Sequence, residues 1–317
     1  RLYDRRIQQH IHQLNDLDQY ESLTELLNSG SKRILILGAG LIGCELGDHL
    51  SRAGHEVAIN DRASYLLSAV ASEGVSTFVR DRYEQNGVEF LLGTTMNDVA
   101  KKDGGLQIQF ENGRTMERDV VISAIGLKPN VELAARAGLD VGRGIKVDDT
   151  MGTSDPDIYA IGDCAEHKGQ VFSFVEPINR QAAVIVDQLY GEGKRSFEPR
   201  MSMILVKSRT CPIKSLPPER SRRAGSSIRH VHSSDQGVVD EWWSDDGQLV
   251  GYSACGDVAD TYEPALNQGD RAGPTDRVKS SNPPEHLPKV LTRPTEVNDD
   301  DAEKAKAFRL GASGSVS

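Results

Sequence analysis

The chain has 317 residues, of which 38% are apolar, and 37 Lys and Arg against 47 Asp and Glu give a formal net charge of −10. That length accommodates two domains and a smaller third, while the acidic balance argues against a nucleic-acid partner, which needs a basic surface. No run approaches the roughly 20 apolar residues that span a bilayer, and the opening RLYDRRIQQH has no apolar core of a secretory signal, so the expected compartment is the cytoplasm.

Residues 1–31 read as an extended entry, HIHQLND, followed by an amphipathic helix in which Tyr20, Leu23, Leu26 and Leu27 recur at helical spacing, stopped by Asn28, Ser29 and Gly30. RILILGAG is a strand broken by glycine, LIGCELGDHLSRAG a helix and HEVAIND a second strand, together a β-α-β unit. A helix then runs through Phe78, Arg82 and Tyr83 to Asn86-Gly87. Three β-like runs follow, VEFLLG, LQIQF and TMERDVVISAIG, with a hairpin signal at Glu111-Asn112-Gly113-Arg114. Beyond Gly126 come the helix VELAARAG, the strands GIKVDD and DIYAIGDCA, and the helix INRQAAVIVDQLYG. A further sheet begins near residue 200 with MSMILVK, and EWWSDDGQLVGYSACG reads as a hairpin turning at Asp245-Asp246-Gly247. From about 271 onward the composition is that of a disordered tail, with too little apolar surface to offset the entropy of ordering.

The sharpest local pattern is Gly38-Ala39-Gly40-Leu41-Ile42-Gly43, between a strand and a helix and followed by Asp61 at the end of the next strand. Gly38 permits the tight turn, Gly40 lets the backbone approach a pyrophosphate, and Gly43 allows the helix to pack closely on the sheet. The amides of Leu41, Ile42 and their neighbours then face the phosphates. Asp61 is suited to accept from adenosine ribose hydroxyls, which favours NADH over NADPH. Arg62 either accommodates a 2'-phosphate or is a surface charge. A second pattern, Asp157 to Ala165, runs an apolar strand into Gly162-Asp163; that carboxylate either binds a ligand hydroxyl above the sheet or caps a helix.

The ordered set GAGLIGCE, VISAIGLKPN and IYAIGDCAE resembles the pyridine nucleotide-disulfide oxidoreductase superfamily, whose members bind FAD and NAD(P)H in two nested dinucleotide domains. The resemblance implies that the Gly38 turn belongs to the NAD(P)H domain, that Gly126 marks the crossing back into the FAD domain, and that Asp163 binds the ribityl chain of FAD. It also implies that Glu45 lies near the nicotinamide ring, and that the backbone of Val175-Glu176-Pro177, a short extended stretch, approaches the flavin; the same stretch also reads as a strand-to-helix turn with proline at the helix start, and the two readings are compatible. The wording LSRAGHEV, RGIKVDD, GDCAEHKG and VEPI is similar to rubredoxin reductases and to ferredoxin-reductase components of oxygenases, in which electrons pass from NADH through FAD to a one-electron carrier. The alternatives are the reductase of a dioxygenase or nitrite-reductase system, or a nucleotide-binding module without activity.

The expected fold is α/β: a linker and helix over 1–31, a Rossmann-like NAD(P)H domain over 32–117, the carboxyl-terminal part of an FAD domain over 118–199, a small α+β domain over 200–270, and the tail 271–317. The family's amino-terminal β-α-β unit, which holds the ADP half of FAD, has no counterpart in the 37 residues before Gly38. With Arg1 in first place, this leads to the expectation of a truncated chain that binds FAD poorly.

Four cysteines, Cys44, Cys164, Cys211 and Cys255, form no C-x-x-C pair and read as buried thiols. His10 with His12, and His230 with His232, share strand faces but lack a third ligand, so no metal is expected. Trp242 and Trp243 face opposite sides of a strand, as core or interface. Between 194 and 230 basic residues dominate, Lys194, Arg195, Arg200, Lys207, Arg209, Lys214, Arg220, Arg222, Arg223 and Arg229 against Glu198 and Glu219. The segment is either a solvated loop or a docking face for rubredoxin or a similar small acidic electron-transfer protein.

Overall fold

In the computed structural model, which describes residues 5–200, 202–218, 223 and 225–264, the elements run α1 (Arg5–Gln8), β1 (Ile11–His12), α2 (Leu17–Asn28), β2 (Arg33–Leu37), α3 (Leu41–Arg52), β3 (Glu56–Asp61), α4 (Glu73–Gln85) and β4 (Glu89–Leu92). They continue with β5 (Met96–Lys102), β6 (Gly105–Phe110), β7 (Thr115–Arg118), β8 (Val120–Ser123), α5 (Glu132–Arg136), β9 (Ile145–Val147), β10 (Ala165–His167), β11 (Gln170–Val171) and α6 (Val175–Tyr190). The last are β12 (Ile204–Val206), β13 (Ile213–Leu216), β14 (Ser226–Ser234), β15 (Gly237–Ser244), β16 (Leu249–Gly256) and α7 (Val258–Thr261).

A parallel five-stranded sheet, ordered β1-β8-β2-β3-β4, holds the centre. Its middle strands are apolar on both sides because both faces are covered. Ile34 and Ile36 of β2 turn to α3 and α4 with Val75 and Val79, while Leu35 and Leu37 turn to the antiparallel sheet β5-β6-β7 with Val99, Ile108 and Phe110. The sheet takes in strands from both sides of the 32–117 stretch. Helix starts follow local capping: Asp16 accepts from the Gln19 amide (2.8 Å) and Ser72 from that of Val75 (3.1 Å).

Three sequence expectations are corrected. TMERDVVISAIG is two strands in two sheets, because the Asp119 carboxylate turns the chain by accepting from the Arg33 amide (2.8 Å) and guanidinium (2.7 Å). DIYAIGDCA is not one strand: Tyr159 makes only an isolated bridge to Gly152, and Gly162–Cys164 is a single 3₁₀ turn leading into β10. Val175-Glu176-Pro177 is not extended but forms the first turn of α6, where a proline costs no helical hydrogen bond. Strands β5, β11 and β13 are not among those that the sequence marks.

The antiparallel sheet β12-β13-β16-β15-β14 stands on α3 and α4, and Ile204, Val206, Ile213, Val238 and Cys255 share one core with Val75 and Val79. Its hairpin turns at Gly247 as the sequence indicates. No helix among the described residues is long and apolar enough to cross a membrane. The tail 271–317, Glu219, Arg220 and Arg222 lie outside the described residues.

Candidate dinucleotide site

From β2 the chain winds through α3, β3, α4 and β4 to one side, then returns as β8 on the other, so the sheet reverses its winding between β2 and β8. Such a reversal, beyond the carboxyl ends of the strands, is the place where open α/β sheets bind ligands. Gly38 stands there with φ +104°, its amide donating to the Asn60 carbonyl (2.7 Å). A Cβ on Gly38 would lie 2.5 Å from the Ala124 carbonyl oxygen, and one on Gly43 would lie 3.0 Å from the Gly38 carbonyl carbon, with the Gly38 oxygen nearer still. These two glycines are therefore demanded by packing. Gly40 is different: a Cβ there would meet nothing within 4 Å, yet Gly40 is the N-cap of α3 and supplies no side-chain acceptor. The first amides of α3, those of Leu41, Ile42 and Gly43, are thus left to an anion from outside, the condition for binding a diphosphate. Ile42 is exposed beside them.

Asp61 at the end of β3 fixes the turn. One carboxylate oxygen accepts from the Ala39 amide (2.7 Å) and the other from the Ala63 amide (2.9 Å), leaving lone pairs on a half-buried group. The Leu67 amide donates to the Ala39 carbonyl (2.7 Å), so residues 63–67 fold beside the turn. Arg62 is exposed. On the β8 side the Ala124 amide donates to Leu37 (2.7 Å), and the chain passes into Gly126, whose φ is +98° and whose Cβ position is open. The structure therefore brings Gly38, Gly40, Leu41, Ile42, Gly43, Asp61 and the approach to Gly126 to the carboxyl ends of β2, β3 and β8, at the reversal of the sheet.

Glu45 is one turn further along α3, and its carboxylate accepts from the Lys207 amide (2.8 Å). Asp48, 2% exposed, accepts from the Arg209 amide (2.7 Å), the Ser208 hydroxyl (3.1 Å) and the Thr210 hydroxyl. Burial, the largest single influence, pushes the Asp48 carboxyl up, but the bonds from Thr210, Arg209 and Ser208 together hold it below the ordinary carboxylate range. Neither contact was foreseen, since the partners are some 160 positions apart in sequence.

The second cluster is at Gly162-Asp163. Gly162 has φ +75° and its amide donates to the side-chain oxygen of Gln181 (2.8 Å), a residue 0% exposed on α6. The Gln181 amide nitrogen is buried without a partner. Asp163 is exposed, and no hydrogen bond or ion pair engages its carboxylate among the described residues. Pro177 is buried and Val175 is 74% exposed at the start of α6. An exposed carboxylate, a left-handed glycine and an orphaned buried amide fit a polyhydroxylated ligand chain such as the ribityl of FAD. Gln181 escaped sequence reasoning because nothing in its neighbours marks it.

Cys44, Cys211 and Cys255 are buried, Cys164 is half-buried, and burial pushes the Cys44 thiol well up. No group of three metal-ligating side chains occurs among the described residues; His230 instead meets Asp240 (2.6 Å). Trp242 is buried, and the Trp243 indole donates to Glu241 (2.9 Å). Within the basic segment, Arg223 points inward, donating to the Ala71 carbonyl (2.6 Å) and lying over the Trp242 ring. Lys194 pairs with Glu192 (2.5 Å) and Arg229 stacks on Trp243 (4.1 Å).

The family model described as pyridine nucleotide-disulphide oxidoreductase matches residues 6–184. The chain is 38% identical over 210 residues to the rubredoxin-NAD(+) reductase of Acinetobacter baylyi, an overlap of 65% of this chain and 53% of that protein. It is 36% identical over 244 residues to the nitric oxide reductase FlRd-NAD(+) reductase of Salmonella arizonae, covering 77% of this chain and 63% of that one. Among solved structures, the ferredoxin reductase for the CYP199A2 system from Rhodopseudomonas palustris superposes with a TM-score of 0.69 at 26% identity, covering 78% of this chain and 62% of that chain. The covalent putidaredoxin reductase-putidaredoxin complex gives 0.68 at 25%, covering 82% and 62%. The chain thus spans between 53% and 63% of the length of these relatives.

Proposed function

The chain belongs to the pyridine nucleotide-disulphide oxidoreductase family, and from that premise we propose that it holds NADH across the Gly38–Gly43 turn and serves an FAD-dependent reductase that passes electrons to a small one-electron carrier. The observation that carries this reading is the open Gly40 beside the packed Gly38 and Gly43, at the point where the sheet reverses. The α3 amides receive the diphosphate, and Asp61, held by the Ala39 and Ala63 amides, accepts from the adenosine ribose. A 2'-phosphate would meet that carboxylate, so NADH is preferred over NADPH, with Arg62 a solvated charge. Glu45, Ile42 and Gly126 border the nicotinamide half.

Asp163 and the Gly162 turn, braced by Gln181, take the ribityl side of FAD, with Val175 and Pro177 at the start of α6 beside the ring. Bound FAD supplies the conversion of a two-electron donor to one-electron transfer, chemistry that no side chain offers. No residue of the chain need act as acid or base; these groups bind and orient. Residues 32–117, joined in the central sheet by β1 and β8, are assigned to the nucleotide domain, the rest of 118–199 to the flavin side and 200–270 to a small carboxyl-terminal domain.

Rubredoxin is the carrier the reading favours, in keeping with the rubredoxin-NAD(+) reductase of Acinetobacter; a ferredoxin-type carrier is the second reading, in keeping with the ferredoxin reductase and the putidaredoxin reductase that superpose on the chain. Exposed cations between 194 and 230 suit an acidic partner, Arg229 among them. The test is the visible spectrum of the purified chain with added FAD, followed by NADH without oxygen and then by each carrier. Flavin bands that bind, bleach with NADH and recover with rubredoxin support the reading. NADH binding without flavin binding restricts this chain to the nucleotide half, and absence of both defeats the reading.

A further inference from the structure

Leu41, Glu45 and Asp48 lie at i, i+4 and i+7, on one stripe of α3. The lower two grip the turn between β12 and β13 through backbone amides, Glu45 that of Lys207 (2.8 Å) and Asp48 that of Arg209 (2.7 Å). The stripe's head, Leu41, carries one of the free amides at the anion-binding end. With a rise of about 1.5 Å per residue, Glu45 is only about 6 Å along the axis from it. The turn is rigidly held, because Asp48 also takes the hydroxyls of Ser208 and Thr210, and the Cys211 amide donates to Ser208 (3.1 Å). Yet its two cationic side chains are exposed, and neither Lys207 nor Arg209 has an ion-pair partner among the described residues. Carboxylates spent on the backbone thus present two unpaired cations beside a site whose ligand is a dianion.

We propose that the Lys207–Arg209 turn is the outer wall of the nucleotide site, with the Lys207 ammonium reaching the diphosphate of the bound dinucleotide and Arg209 adding a weaker, longer-range attraction. The inference rests on the reading of the Gly38–Gly43 turn given above. It gives the small carboxyl-terminal sheet a part in cofactor affinity. A lysine suits this place, since a flexible stem with a compact charge serves a phosphate without needing a fixed fork.

The experiment is NADH titration of the whole chain, followed by the fluorescence of the nucleotide, for the wild type, Lys207→Ala, Lys207→Arg and Arg209→Ala. Substitution leaves the backbone amides in place, so the Glu45 and Asp48 contacts survive and thermal unfolding should match the wild type. Lys207→Ala should raise the Kd about tenfold and flatten its dependence on salt, Lys207→Arg should stay within about twofold, and Arg209→Ala should cost about threefold. A Lys207→Ala chain that binds NADH like an intact wild type overturns the inference and leaves the dinucleotide reading standing. A wild-type chain that takes up neither NADH nor ADP-ribose overturns both.

Discussion

Gly38 and Gly40 stand two positions apart in one turn, and alanine at each should have opposite consequences. At Gly38 the new Cβ would lie 2.5 Å from the Ala124 oxygen and 2.8 Å from its carbon, where a carbon–oxygen contact needs about 3.3 Å, so β2 and β8 must part by nearly 1 Å. The φ of +104° adds backbone strain of about 1–3 kcal/mol. With about 1–3 kcal/mol for overpacking, Gly38→Ala should lose about 2–6 kcal/mol, and at about 3 °C per kcal/mol its Tm should fall by about 6–18 °C. At Gly40 nothing lies within 4 Å and φ is −81°, so alanine should leave the Tm within a degree or two. Its methyl group instead occupies the path of the diphosphate to the amides of α3, and the Kd for NADH should rise about tenfold or more. Paired thermal melts and NADH titrations read both effects. The reasoning is refuted if Gly40→Ala binds NADH as the wild type does, or if Gly38→Ala melts with it.

Asp48→Ala should cost about 3–5 kcal/mol in urea unfolding, because the Arg209 and Thr210 amides lose a buried charged acceptor. The wild type should also show an acid-dependent stability that this variant lacks. The Asp48 carboxyl is held low in the folded chain, so its contribution is fully present above its unfolded value of about 3.9 and is lost as pH falls through the folded value below it; equal acid sensitivity of the two chains would contradict this. Asp61→Ala should weaken NADH binding about tenfold while narrowing the gap to NADPH, and should cost about 1–2 kcal/mol for the unpaired Ala39 amide; an undiminished preference for NADH would remove Asp61 from the ribose site. Asp163→Ala, on an exposed carboxylate, should change stability by no more than about 0.5 kcal/mol yet lower flavin affinity at least tenfold, and unaltered flavin uptake would reject its assignment.

The parts of the fold that could be read in the sequence are those encoded by neighbours in the chain. Strand, glycine turn and helix at Arg33–Arg52 follow from apolar period and from residues that the backbone alone demands, and the Asn112-Gly113 hairpin follows from a positive φ of +82°. The β5 strand escaped because MNDVAKK is largely polar and a bulge between Met96 and Asp98 breaks its alternation. The division at Asp119 was invisible because its cause, Arg33, is 86 positions away. The same holds for the site. Glycines and Asp61 announce themselves within about thirty residues, whereas the grip of Glu45 and Asp48 on the 207–210 turn, and of Gln181 on Gly162, arises only when distant elements meet.

Ser72 caps α4, yet its hydroxyl donates to Asp240 of β15 (2.5 Å), its amide donates to Ser253 of β16 (3.2 Å), and the missing side chain of Gly74 leaves room for that buried carboxylate. A chain cut at residue 200 would expose Val75 and Val79 to water and leave this helix end facing nothing. The two folded sheets therefore form a single cooperative unit. Amide protons of α4 and of β15–β16 are expected to exchange with deuterium through the same global opening, and an NADH molecule that slows exchange in the first would slow it in the second by the same factor.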